Sequence, residues 1–265
     1  MEPTSTHFPG VTLLITHFNR SSSLRRLLDA FSRLQCTFED IVVSDDGSKP
    51  EHLSVVQALA ETYPLRLITT PKNKGLANNL NKGQVAVRTP YTLYVQEDFV
   101  PKAAFARHFT DALRFMQQEP DLDIVRFYAY FAYPYLRPYA NGYSEMLYQP
   151  WYLDYNKIYY YSDHPHLRRS HFLDKFGRYV EGIKSDKAEY LMCVSFIKNK
   201  GRGLFLTDFR AMFDQVNPPE EPSTVSRNNW RQQSRNPFIV ALRTVYRQLK
   251  YNYDLHLSGN KARIN

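Results

Sequence analysis

Along the first half of the chain two hydrophobic periods alternate. Continuous apolar runs at Val11–Thr16, Asp40–Ser44, Leu65–Thr69 and Tyr91–Gln96 are rich in Val, Ile, Leu and Thr and predict short buried strands. Between them, Leu24, Leu27, Leu28, Phe31 and Leu34 recur on one helical face while Arg25 and Arg26 point away, and similar helical patterns occupy 53–61 and 103–118. Alternating strand and helix predicts an α/β fold, a mostly parallel central sheet flanked by helices. Ile124–Phe131 reads as a further strand. The pattern then becomes irregular, with Pro134, Pro138, Asn141, Gly142 and Pro150, until a helix from Asp186 to about Lys200 and a strand over Gly203–Thr207. Residues 132–185 therefore read as an aromatic-rich insertion or lid over the sheet edge.

The last segment has a different character. Asn236 is suited to cap a helix that starts at Pro237, where no amide hydrogen is needed. Phe238, Leu242, Val245, Leu249 and Tyr253 then form one stripe flanked by Arg243, Arg247 and Lys250. Such a basic amphipathic helix over 236–253 can dock on its own domain or make peripheral contact with a membrane surface.

A chain of 265 residues forms one large domain or a domain with an appendage. No run reaches the roughly 18 apolar residues that cross a bilayer, and the N-terminus lacks a signal pattern, so the expected location is cytoplasmic. Cys36 and Cys193 stand apart without metal-ligand spacing and read as inert thiols. The net charge of +8 gathers at Arg168 and Arg169, at Lys198, Lys200 and Arg202, and from Arg227 onward. These positions follow no nucleic-acid recognition module, so no nucleic-acid partner is expected.

Four polar stretches carry the chemistry. Thr16-His17-Phe18-Asn19-Arg20, Ser44-Asp45-Asp46-Gly47-Ser48, Asn73-Lys74-Gly75 continuing to Asn81-Lys82-Gly83, and Gln96-Glu97-Asp98 each begin where an apolar run stops. In an open parallel sheet the carboxyl ends of strands share one edge, and ligands bind there. Paired carboxylates at such an edge suit Mg2+ or Mn2+, hard cations that share oxygen ligands with a substrate diphosphate. Asp45 and Asp46 add a second acidic strand end, although turn aspartates also bond to their own backbone.

In this order and spacing the four motifs resemble those of family 2 glycosyltransferases, which have the GT-A fold. The resemblance covers residues 11–101 and, more loosely, 163–217. It implies a GT-A domain over 1–225, with a Rossmann-like nucleotide-binding half at 1–131 and an acceptor-binding half at 132–225, followed by a basic helical tail at 226–265. It implies that Thr16, Phe18, Asn19 and Arg20 surround the nucleotide, with Asn73, Gly75, Gln96 and Glu97, and that Asp45 or Asp46 contacts the base or ribose. Asp98 takes the place of the metal-binding acid, whereas Gln96 replaces the first acid of that motif. The catalytic base falls at Glu189, or at Asp186 one turn earlier. Gln215 stands where many relatives carry a His that helps hold the metal or the diphosphate, so either Asp214 beside it substitutes or the metal has fewer protein contacts.

The aromatic segment offers an acceptor surface. Trp151 and Tyr152, with Tyr155, Tyr159 and Tyr160, suit the apolar faces of sugar rings, and they equally suit the packing of a small subdomain. His164, His166, Arg168 and Arg169 could meet an acceptor phosphate; a zinc site at the two histidines lacks cysteine or acidic partners. The expected reaction is metal-assisted, inverting transfer of a hexose from a UDP-, GDP- or dTDP-sugar to a saccharide or lipid-linked saccharide, in surface polysaccharide or glycolipid synthesis. Two alternatives are nucleotidyl transfer, disfavoured because residues 16–23 contain no glycine, and a catalytically silent carbohydrate- or membrane-binding module.

Overall fold

Val11, Leu13, Leu14 and Ile15 are all buried, so β1 (Thr6–His17) is apolar on both faces and must be covered on both. It runs parallel between β2 (Cys36–Asp45) and β4 (Tyr91–Gln96), and β3 (Leu65–Ile68) lies outside β2. The computed structural model describes residues 5–223 and 237–256. Beyond β4 the sheet continues through β9 (His166–Arg169), β6 (Ile124–Arg126), β10 (Gly203–Leu206), β8 (Tyr143–Met146) and β7 (Leu136–Pro138). Within it only β8 and β9 run against the rest. A separate two-stranded sheet joins β5 (Phe99–Pro101) to β11 (Phe213–Gln215) in antiparallel register.

Helices cover both faces, as the predicted α/β class requires. Leu13 and Ile15 point into one core with α1 (Ser21–Arg33), α2 (Pro50–Thr62) and α4 (Phe105–Gln118). Leu14 points into the other with α3 (Leu76–Ala86), α5 (Phe172–Phe176) and α6 (Ser185–Lys198). The last helix, α7 (Pro237–His256), packs on α6 and on a 3-10 helix at Tyr155–Tyr160. The expected Asn236 cap and the boundary at 225–226 lie outside the described residues.

One sequence expectation changes, and one helix enters that the pattern did not predict. Residues 132–185 are not an insertion over the sheet but supply β7, β8 and β9 to it, with β9 in its middle. The β9 sequence His-Leu-Arg-Arg hides a buried strand because His166 and Arg168 are themselves wholly buried. Helix α3 also carries no apolar stripe to reveal it. Its inward face holds Asn79, Asn81, Gly83 and Gln84 as well as Leu80, since it lies close against β1 and β2.

Gly83 makes that close approach possible. A Cβ there would stand 2.7 Å from Leu14 Cδ1 and 3.0 Å from the Ser44 Cβ. Gly83→Val should therefore destabilise the fold by about 1–3 kcal/mol through overpacking. Thermal unfolding would show a fall of several degrees, and an unchanged midpoint would contradict the packing described.

Candidate active site

Register alone brings the first, second and fourth motifs together. Thr16 pairs with Ser44 on one side and Gln96 on the other, so the carboxyl ends of β1, β2 and β4 are level. The backbone turns out of β1 at Asn19, whose φ of 53° is a conformation that Asn tolerates. Its side chain accepts from Lys49 N at 2.8 Å, its own amide donates to Ser48 Oγ, and Phe18 beside it is half-buried. Thr16 is buried and hydrogen-bonded to Tyr94 Oη at 3.0 Å, which makes it part of the floor.

Asp45 and Asp46 organise this edge. Asp45 is wholly buried and accepts from His17 Nδ1 at 2.8 Å, Thr69 Oγ1 at 2.7 Å, Ser48 Oγ and the amides of Gly47 and Ser48. The His17 and Ser48 hydrogen bonds hold its carboxyl below the ordinary range despite its burial. Asp46 accepts from the amides of Lys74 at 2.9 Å and Gly75 at 2.8 Å, which fixes the Asn73–Gly75 loop that starts α3. Asn73 is exposed and bonds only within this loop, to Gly75 N at 3.1 Å. The expectation that Asp45 meets a base or ribose is corrected by its complete burial, and both oxygens of the nearly buried Asp46 hold chain amides. The two aspartates shape the wall of the cleft.

Arg20 is the centre of the acidic side. Its Nη1 lies 3.4 Å from Glu97 Oε1 and 3.5 Å from Asp98 Oδ2, and all three residues are buried. Its Nη2 donates to Asn217 Oδ1 at 2.7 Å and to Glu221 O at 3.0 Å. Glu97 is pushed up to about 8 by its burial and then by Asp98, with Arg20 opposing. Gln215 Nε2 donates to Asp98 Oδ2 at 2.8 Å, and Val216 N donates to the Asp98 carbonyl, so β11 holds the acid in place. Glu221 closes this side by accepting from Ser22 N and Ser23 N, each at 2.8 Å, at the otherwise uncapped start of α1. Nothing in the sequence pointed to Glu221, because its partners lie about two hundred positions away.

A second carboxylate wall faces the same edge. Because β9 runs antiparallel to β4, with Tyr94 opposite His166, residues 162–164 emerge beside Gln96. Asp163 N donates to Glu189 Oε1 at 3.0 Å, which brings the predicted base on α6 to this loop. The buried Asp163 carboxylate accepts from Tyr179 Oη at 2.7 Å and Tyr161 Oη at 3.0 Å. Asn81 grips the backbone of Tyr179 with both ends of its amide, which ties this wall to α3. The wall reaches Asp98 through contacts: the His164 ring packs on Tyr130 at 4.6 Å, Tyr130 Oη donates to Gln215, and Gln215 donates to Asp98. Asp163 escaped the sequence reading; an acidic turn directly after the apolar run Ile158–Tyr161 was the available signal. Asp186 sits exposed in the first turn of α6.

The basic acceptor residues are elsewhere. The direction that carries Asp163 to the carboxyl edge carries Arg169 to the opposite one, beside Tyr91. Arg169 donates to the carbonyls of Leu122, Met116 and Glu119, and the wholly buried Arg168 makes a two-pronged bond to Gln84 Oε1 at 3.0 and 2.7 Å. His166 is also wholly buried. These three are structural, which corrects their expected role with an acceptor phosphate. Tyr152 is half-buried and stacks on Tyr135 at 3.8 Å, whereas Trp151 is exposed. Asp214 points away from Asp98 into an exposed ion pair with Lys102, so it does not replace the missing ligand. Cys36 and Cys193 are buried and free, and burial raises both thiols, consistent with inert side chains.

A family model for glycosyl transferase family 2 matches residues 12–177, which contain the four motifs and both carboxylate-bearing loops up to Asp163. The chain belongs to this family. Solved structures share the fold of this family member at low identity. The S. aureus TarS 1–349 complex with UDP-GlcNAc superposes with a TM-score of 0.60 at 16% identity, covering 92% of this chain and 70% of that one. A Pyrobaculum calidifontis mannosyltransferase, PcManGT, in complex with GDP-Man and Mn2+ gives 0.56 at 18% identity, covering 97% and 72%. In another structure of TarS 1–349 the match spans 59% of that chain. No curated protein sequence gives a significant match.

The residues at Asp98 allow a divalent cation of a particular kind. Asp98 Oδ1 is buried and has no hydrogen-bond partner, although its neighbour Oδ2 is well supplied. Among the described residues no group of three His, Cys, Asp or Glu side chains gathers to form a cage. The set therefore fits a cation that takes one carboxylate oxygen from Asp98 and most of its other ligands from a diphosphate.

Asp163 offers a check on the second wall. Burial, then the nearby Glu189, pushes its carboxyl up to about 7. The native state thus binds its proton more tightly than the unfolded chain, and this residue's contribution to stability falls as pH rises. Asp163→Asn should gain stability relative to the wild type as pH rises from about 4 to about 7. Urea unfolding across that range measures it, and a flat or opposite trend would contradict the buried carboxylate.

Proposed function

We propose that this family 2 member transfers a hexose from a nucleotide sugar to a hydroxyl of a saccharide or lipid-linked saccharide, with inversion, in surface polysaccharide or glycolipid synthesis. The reading rests above all on one observation: Asp98, with its unpartnered oxygen, and Glu189, backed by Asp163, belong to walls joined at one sheet edge. The donors named in the TarS and PcManGT structures support a sugar nucleotide as the substrate class. Residues 1–131 form the donor half and 132–225 the acceptor half, in a protein that works in the cytoplasm.

The diphosphate lies toward Arg20 and Asp98, and Asn19, Phe18 and the Asn73–Gly75 loop frame the nucleoside. A divalent cation held on Asp98 supplies Lewis-acid neutralisation of the departing diphosphate. The Arg20 guanidinium adds fixed positive charge at the same place. Glu189 takes the proton of the acceptor hydroxyl as its oxygen bonds to the anomeric carbon. The bond from that carbon to the diphosphate oxygen breaks, and its electron pair leaves with the nucleoside diphosphate. Attack opposite the leaving group inverts the centre. The Asp163 amide holds Glu189 Oε1, leaving its other oxygen for the proton. Trp151 and Tyr152 extend the acceptor side.

A panel of UDP-, GDP- and dTDP-sugars, tested by thermal shift with and without Mn2+, should reveal one donor that raises the unfolding temperature. Absence of any shift would overturn the reading. Glu189→Gln should lower transfer by about 100- to 10,000-fold while donor affinity stays within about twofold. Unchanged turnover would remove Glu189 from the base role.

A further inference from the structure

Helix α7 is docked with its apolar stripe facing outward. Its inner face consists of Gln248, Tyr251, Asn252 and Leu255. Gln248 Nε2 donates to the Tyr152 carbonyl at 2.8 Å, the buried Lys157 ammonium donates to Asn252 at 3.2 Å, Tyr251 packs on Tyr190 at 5.2 Å, and Leu255 is buried. The opposite face carries Leu242, Val245, Tyr246, Leu249 and Tyr253, each 56–67% exposed. Half of the exposed large apolar side chains among the described residues lie on this one helix. An ordinary amphipathic helix does the reverse, burying its stripe against the core.

Two observations say what covers the stripe. Residues 226–265 hold eight of the 34 basic residues and one of the 26 acidic residues, and the helix itself carries Arg243, Arg247 and Lys250 against the single acid Asp254. The remainder of the chain is close to neutral. Arg247 and Lys250 lie along the margin of the stripe, anchored by Tyr155 and Asp254 on the inner side. Trp151 and Leu153, 71% and 83% exposed, flank the Tyr152 contact and enlarge the apolar surface next to the helix. Aromatic and aliphatic side chains fringed by cations match the interfacial zone of an anionic bilayer, where Trp and Tyr lie at headgroup depth. No described helix is long and apolar enough to cross a membrane, so contact would be in the plane of the surface.

We propose that α7, with Trp151 and Leu153, forms a docking face for anionic lipid bilayers. The helix lies in the interface with Leu242, Val245, Leu249 and Tyr253 among the acyl chains and headgroups. The basic residues around them hold the lipid phosphates. Because the same helix packs on the 3-10 helix that follows Trp151 and Tyr152, docking would bring the proposed acceptor side next to the bilayer. The docking face itself does not depend on the proposed reaction.

The test uses the full chain and reads lipid binding alone, so its failure is separate from any failure of sugar transfer. Sedimentation with phosphatidylcholine vesicles containing about 30% phosphatidylglycerol should capture the protein, and pure phosphatidylcholine should capture little. Raising salt to about 0.5 M should weaken capture. Val245→Ser combined with Leu249→Ser should lower partitioning about tenfold with circular dichroism unchanged. Trp151→Ser with Leu153→Ser is a second variant outside the helix and should also lower it. In a Trp230→Phe background, Trp151 emission should shift to the blue on anionic vesicles. Equal capture of wild type and both variants would overturn the proposal, as would no capture of the wild type. A concentration-dependent dimer lost in Val245→Ser/Leu249→Ser, without vesicle binding, would assign the face to a second copy instead.

Discussion

Two carboxylates buried side by side, Glu97 and Asp98, set the terms for the whole site. Removing them from water would favour protonation unless positive charge or hydrogen bonds come with them. The chain answers with Arg20, brought there by the parallel pairing of β1 and β4. The answer is partial. Glu97 still sits well above the ordinary carboxylate range, and one oxygen of Asp98 has no partner at all. A site left short of positive charge in this way is suited to a cation.

The same guanidinium reaches outward to Asn217 and the Glu221 carbonyl, so the loop after β11 is tied to the acidic centre. Glu221 in turn caps α1 at the foot of the β1 loop. One contiguous network thus runs from the first strand to the last described loop of the domain. Buried networks of this kind rigidify their surroundings, which favours a cleft with preorganised donors and acceptors.

Opposite that network, the Asp163 wall shows how strand direction distributes chemistry. One antiparallel strand places an acidic turn at the carboxyl edge of the parallel strands and two arginines at the far edge or in the core. Arg168 and Arg169 therefore serve packing, and the acid three positions before the strand serves the site. The aromatic excess is explained in the same way: Tyr161 and Tyr179 carry the hydroxyls that hold Asp163, and many of the others pack the two cores.

The sequence by itself determined the class of fold and the sheet edge at which the polar strand-end motifs gather. Continuous apolar runs dictate buried strands, polar turns must follow them, and parallel pairing brings those turns together. It also put Arg20 and Asp98 at that edge, because each directly follows a buried strand. Tertiary structure alone decided what those groups touch. Asp45 is sealed by His17 and Thr69, the outer stripe of α7 faces away from the protein, and Asp163 stands behind Glu189. Each of these depends on partners distant in the chain, or on a polar residue occupying a buried position, and hydrophobic periodicity carries no signal for either.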